Sequence, residues 1–114
     1  MNVLAWILGT ALIAVFGFAG ITKVLDLDRM REHFGYSQRQ YQAIGLFEIV
    51  CASGVLAGLL SSKWVGGAAA VSLGGLMIGA LIAHARVEDE GKKAMPALVM
   101  LAVASVFVIA ISLR

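Results

Sequence analysis

Cysteine is nearly missing from this 114-residue chain, and so is charge. The single thiol, Cys51, excludes an intrachain disulfide, a CxxC redox pair and a four-ligand metal site, and its place inside an apolar run makes it a small packing residue. Charged residues are only 14% of the chain against 61% hydrophobic. They fall in clusters that leave long apolar runs between them, the distribution expected when loops are wet and spans are not. With a mean hydropathy of +0.92, the natural solvent for most of this surface is lipid. The basic residues form no patch interleaved with aromatics and lie beside the apolar runs, so a nucleic-acid partner is excluded despite a net charge of +2. Also missing are a nucleophile–base arrangement, a phosphate-binding loop and a dinucleotide fingerprint.

What is present reads as one domain over residues 1–114 with four apolar spans, at about 3–23, 38–60, 64–85 and 96–113. Met1-Asn2 supplies no positively charged n-region, so the first run is expected to be a retained span and not a cleaved leader. After it, Leu27, Met30 and Phe34 recur at helical spacing among Asp26, Asp28, Arg29, Arg31 and Glu32. That pattern predicts a short interfacial helix over about 25–34. Gly35 is placed to end it in a left-handed turn, and Ser37 with Gln40 has the form of a capping box opening the second span. Ser61-Ser62-Lys63 makes a tight turn into the third span. The loop from Arg86 to Lys93 leads to the fourth, where Pro96 suits the first helical turn. The expected architecture is an all-α, up-down bundle of four transmembrane helices.

Two GxxxG patterns, Gly54 to Gly58 and Gly75 to Gly79, are expected to pack the second and third helices together and, secondarily, to serve a homo-oligomer. Orientation follows from the loops. Lys23, Arg29, Arg31, Arg39, Arg86, Lys92 and Lys93 lie on one side, Lys63 and Arg114 on the other. The positive-inside rule then puts both charged loops in the cytoplasm and both termini outside, in what is expected to be a bacterial plasma membrane. Trp6 and Trp64 would anchor the outer interface, Tyr36 and Tyr41 the inner one.

Glu48 lies on the order of 12 Å below the boundary by helical rise, a costly depth for a carboxylate. Lys23 closes the first span and His84 closes the third, at the same end of the membrane. Because Cα–Cβ bonds tilt toward a helix N-terminus, Lys23 and His84 lean into the membrane while Glu48 leans back, and the three converge on one depth. Ala19, Gly20, Gly45 and Ala80 leave room for them. The cluster reads either as a buried structural pair that fixes helix register or as a site for a ligand or proton. His33 reads as a solvated residue. Two histidines at different depths do not suit a bis-histidine haem, and no residue set has metal-site spacing.

The segments Gly17-Phe-Ala-Gly-Ile-Thr-Lys23, Ile44-Gly-Leu-Phe-Glu48 and Ala83-His84-Ala-Arg86, with the acidic loop and Pro96-Ala-Leu98 after them, resemble the DoxX-like family. The resemblance implies a compact four-helix membrane protein whose Lys, Glu and His positions match Lys23, Glu48 and His84. The wider family includes subunits associated with thiosulfate and quinone oxidation, partners of redox-defence enzymes, and relatives that look like chaperones for assembly. The expected function is therefore a non-catalytic accessory subunit or assembly factor of a membrane complex, with the cluster holding a lipid or quinone headgroup. No catalytic residue and no resident cofactor are expected, quinone excepted. Expected partners are the bilayer and either other membrane subunits or further copies of the chain. One alternative is a homodimeric proton-coupled exporter of the small multidrug type. Another is a quinone-interacting oxidoreductase subunit.

Overall fold

The computed structural model describes residues 2–25, 34–87 and 91–113, with the Lys92 side chain left aside. Among the described residues four long helices follow one another: α1 (Asn2–Val24), α2 (Gln38–Leu60), α3 (Lys63–Arg86) and α4 (Gly91–Ser112). Each is long and apolar enough to cross a bilayer. At 1.5 Å rise per residue, 23 residues reach about 35 Å, enough for a hydrocarbon core of about 30 Å. The interfacial helix expected over 25–34 falls almost wholly outside the described residues.

The ends of the helices follow their local chemistry. Gly35 takes a φ of +76°, the left-handed region that glycine enters without a Cβ penalty. Ser37 then caps α2 in a reciprocal box: the Gln40 N–H donates to Ser37 Oγ at 3.1 Å and the Ser37 N–H donates to Gln40 Oε1 at 3.0 Å. Ser62 caps α3 by accepting from the Val65 N–H. Pro96 departs from expectation. It stands inside α4, which begins at Gly91, so it occupies the second turn instead of the first. Charged residues mark where the bilayer ends but do not stop a helix, since lysine is a good helix former. The N–H that proline lacks would have bonded the Lys92 carbonyl, at the very start of the helix.

The helices are apolar all round, as membrane spans are, and each buries one narrow stripe. In α1 this is Ala5, Leu12, Phe16 and Gly20; in α2 it is Tyr41, Gly45, Glu48, Ala52, Val55 and Leu59. Leu73 and Met77 of α3 and Phe107 and Ile111 of α4 complete the core. Large apolar residues such as Ile7, Phe18, Val50, Val71 and Ile109 face outward, which is the surface lipid tails would cover. Packing is most extensive within the pairs α1–α2 and α3–α4, intermediate between α2 and α3, and thinnest between α1 and α4. The bundle is thus two hairpins laid side by side.

Glycine sets two close approaches. At one end Gly58 of α2 meets Gly66 of α3 so closely that a Cβ on Gly58 would run into the Gly66 backbone. At the other, a Cβ on Gly20 would lie 2.6 Å from the Gly45 carbonyl oxygen. The first GxxxG pattern packs as expected, with Gly54 against Ala69 and Gly58 against Gly66. The second does not. A Cβ on Gly75 or Gly79 would meet nothing within 4 Å, because both lie on the outer face of α3, about half a turn away from the Leu73 and Met77 stripe.

Candidate functional site

Glu48 occupies a position in α2 that the helical repeat assigns to the core, between Gly45 and Ala52, and it is 2% exposed. Its Oε1 lies 2.9 Å from the Nζ of Lys23. The close crossing of α1 and α2 makes that contact: a Cβ on Gly45 would stand 2.7 Å from both the Gly20 carbonyl oxygen and the Lys23 Cβ. The two backbones come together one turn from the charges, so the lysine reaches the carboxylate instead of turning out toward water. Nearby, Gln42 donates from Nε2 to the Val24 carbonyl at 3.0 Å, tying the exposed end of α1 to α2. Lys23 keeps about a fifth of its side chain exposed. The pair therefore sits at the edge of the dry core, the ammonium on the wetter side.

His84 comes to the same place from α3. It lines the same cavities as Lys23 and Glu48, and its ring meets Phe34 edge to face with centroids 4.9 Å apart. All three residues singled out from the sequence are thus gathered at one end of the bundle, Lys23 and Glu48 as an ion pair and His84 as a wall beside them.

Two cavities flank the ion pair. The first, about 260 Å³, is bounded by Phe34, Tyr36, Tyr41 and Ile44 on one side and by Leu76 and Ala83 on the other. The second, about 210 Å³, runs between α1 and α4 past Phe16, Ala19, Lys93, Pro96, Ala97 and Met100. Lys23, Glu48, Met77, Ala80 and His84 belong to both. The charged cluster is therefore a partition, with an aromatic chamber on one face and an apolar groove on the other.

The aromatic chamber is what sequence reasoning missed. Tyr41, expected at the membrane interface, is buried at 4% exposure and carries Lys23 Nζ 5.6 Å from its ring centroid. Tyr36 stacks on Tyr41 at 6.2 Å, and Phe34 stands 6.2 Å from Tyr36. A cation over a ring face is attracted by the ring quadrupole, so Tyr41 helps hold the ammonium where Glu48 needs it. Tyr41 does sit on the buried stripe of α2, seven residues before Glu48 in sequence, and that register was the available signal. Phe34 shares a helical spacing with Leu27 and Met30 that points it at the membrane boundary and not at His84, and Tyr36 precedes α2, where no periodicity fixes direction. His33 and the acidic residues Glu88, Asp89 and Glu90 lie outside the described residues.

Chemically, the cluster combines an amine, a carboxylate and an imidazole around space that water-sized groups can enter. It can hold a polar headgroup by hydrogen bonds while aromatic and aliphatic walls cover the rest. Among the described residues, no three His, Cys, Asp or Glu side chains group as metal ligands. Cys51 is a buried free thiol one turn beyond Glu48, packed in the core.

No curated protein and no solved structure matches the chain. A family model does match, over residues 7–107, a stretch that takes in most of each helix, the ion pair and both flanking cavities. This four-helix membrane protein belongs to the DoxX-like family.

Proposed function

We propose that the protein is a non-catalytic accessory subunit or assembly factor of a membrane complex, and that its Lys23–Glu48–His84 cluster holds the headgroup of a lipid or quinone. One observation carries the reading: a buried ion pair, 2.9 Å between its charges, forms the wall of a chamber of about 260 Å³. Ionisable groups this deep in a membrane bundle mark sites more often than they mark simple packing. The chamber is smaller than the roughly 300–1,000 Å³ that encloses a whole small-molecule ligand. It suits a head whose tail lies elsewhere, in the bilayer or in a partner. Most of the outer surface is apolar, and much of it is free for neighbouring helices as well as for lipid.

Following the positive-inside rule, the cluster belongs to the cytoplasmic half of a bacterial plasma membrane, with both termini outside. A proton-coupled exporter is disfavoured by the ion pair itself, because a transport carboxylate must be free to exchange partners and Glu48 Oε1 is engaged by Lys23 Nζ at 2.9 Å. The test is extraction in native lipid with a belt polymer, followed by mass spectrometry of everything retained. A stoichiometric membrane protein, with a lipid or quinone kept by the native chain and lost from Lys23→Met, is the expected result. A monomer that retains neither overturns the proposal.

A further inference from the structure

The groove between α1 and α4 changes character along its length. At the membrane boundary it begins with Lys93 and Lys23, beside His84; deeper in, Ala19 and Ala97 give way to Val15 and Met100. From Lys23 to Val15 is roughly 12 Å and from Lys93 to Met100 roughly 10 Å by helical rise. The charged mouth and the apolar floor are thus about two helical turns apart. The seam is also the thinnest of the four contacts between neighbouring helices, so an acyl chain can enter it from the side without parting a well-packed interface.

Among the described residues, the charges in the lining do not balance. Glu48 is matched by Lys23, whereas Lys93, exposed at the mouth, adds a second cation and His84 a further donor. Deepening the headgroup reading above and resting on it, we infer that this groove is a binding site for an anionic glycerophospholipid. Its phosphate lies at Lys93 and the outer side of Lys23, and the upper part of one acyl chain lies between Ala19 and Ala97. The observations favour an anionic head over a zwitterionic one through the excess cation. They favour a lipid over a soluble phosphate through the apolar floor.

The experiment uses the full chain in nanodiscs of phosphatidylcholine doped with phosphatidylglycerol carrying a photoreactive group in its acyl chain. Crosslinked residues are then mapped by mass spectrometry. The expected result is crosslinking at residues 15–19 and 96–100, reduced about five-fold by Lys93→Gln, the loss expected when one lysine near the surface of an anionic membrane is removed. Ala97→Leu, which fills the groove, should lower crosslinking in the same segments. Lys93 is exposed and outside the buried pair, so its variant is expected to melt with the native protein. Equal crosslinking by a phosphatidylcholine probe, or crosslinking indifferent to Lys93→Gln, overturns the anionic site. Crosslinks confined to Ile44 and Leu76 would put the lipid in the aromatic chamber, which overturns the groove assignment and leaves the headgroup reading standing. Absence of any crosslink in the lining, while a headgroup still co-purifies, overturns this inference alone.

Discussion

The two ends of the bundle are built on opposite plans. At the Lys63 end, Gly9 receives Leu59 and Phe107, Gly58 lies against Gly66, and the buried residues described there are apolar; the hollows at that end, about 460 and 330 Å³ around Lys63 and Trp64, hold no buried charge among the described residues. At the other end an equally close glycine crossing, Gly20 against Gly45, is followed within one turn by an ion pair and two cavities. Tight backbone contact thus serves two purposes. In the first region it brings two backbones together around apolar side chains, as small residues do between helices in lipid. In the second it fixes the geometry of charges that would otherwise be too costly to keep there. A region packed for stability is expected to respond to added volume, and one packed for a site to altered charge.

The largest effect should come from splitting the pair. Lys23→Met leaves a buried carboxylate and is expected to destabilise the protein by about 3 kcal/mol, the low end for a broken buried pair, because the lysine retains some exposure. Glu48→Gln strands the ammonium and should cost less. The double variant should recover most of the loss. Thermal unfolding of both singles and the double in detergent gives the coupling, and strictly additive effects would show that the pair is not a unit. If the pair does no more than hold the helices, the double variant should also regain partner or headgroup retention. If it is a site, stability should return while retention does not.

Next in size is Gly58→Val at the apolar end, expected to cost about 1–3 kcal/mol because the neighbour is backbone and cannot swing aside. The same melting assay reads it. Retention of a headgroup should be unchanged per folded molecule, since the ion pair is more than two turns away. Gly45→Ala should be milder in stability, about 1–2 kcal/mol, yet should reduce headgroup retention by pushing Lys23 off line. If both glycine variants lose stability and retention in equal proportion, the contrast between the two ends fails. The smallest effects belong to Gly75→Ala and Gly79→Ala. On an outer face with nothing near, each should shift stability by no more than about 0.5 kcal/mol. A clear loss of a dimer band with either, at unchanged melting temperature, would show that a second copy covers this face.

Much of the fold was legible because hydropathy and helical rise together leave few choices: four runs of bilayer length, short connections, alternating direction. The Ser37–Gln40 box and the Gly35 turn could be read residue by residue because each depends only on its neighbours. Lys23 and Glu48 could be paired because side-chain tilt, a local property, brings them to one depth from antiparallel helices. What failed depended on azimuth. The spacing Gly75 to Gly79 says that two glycines share a face but not which way the face points, and it points out. Tyr41 looked like an interfacial anchor by its nearness to the helix start, although its register with Gly45 and Glu48 puts it inside. The groove between α1 and α4 was invisible because it depends on how far apart the first and last helices settle.

The division into two hairpins has a consequence for how such a chain is made. Lys23 and Glu48 both lie within the first hairpin, whereas His84 and Lys93 belong to the second. During synthesis the carboxylate therefore has its counter-charge at hand as soon as α2 is complete, some fifty residues before α4 finishes emerging. Neither ion has to wait, bare, in the lipid for a later helix to arrive. The first sixty residues can thus enter the membrane as a charge-neutral unit, and the second hairpin, which carries no carboxylate at comparable depth among the described residues, docks onto an ion pair already formed.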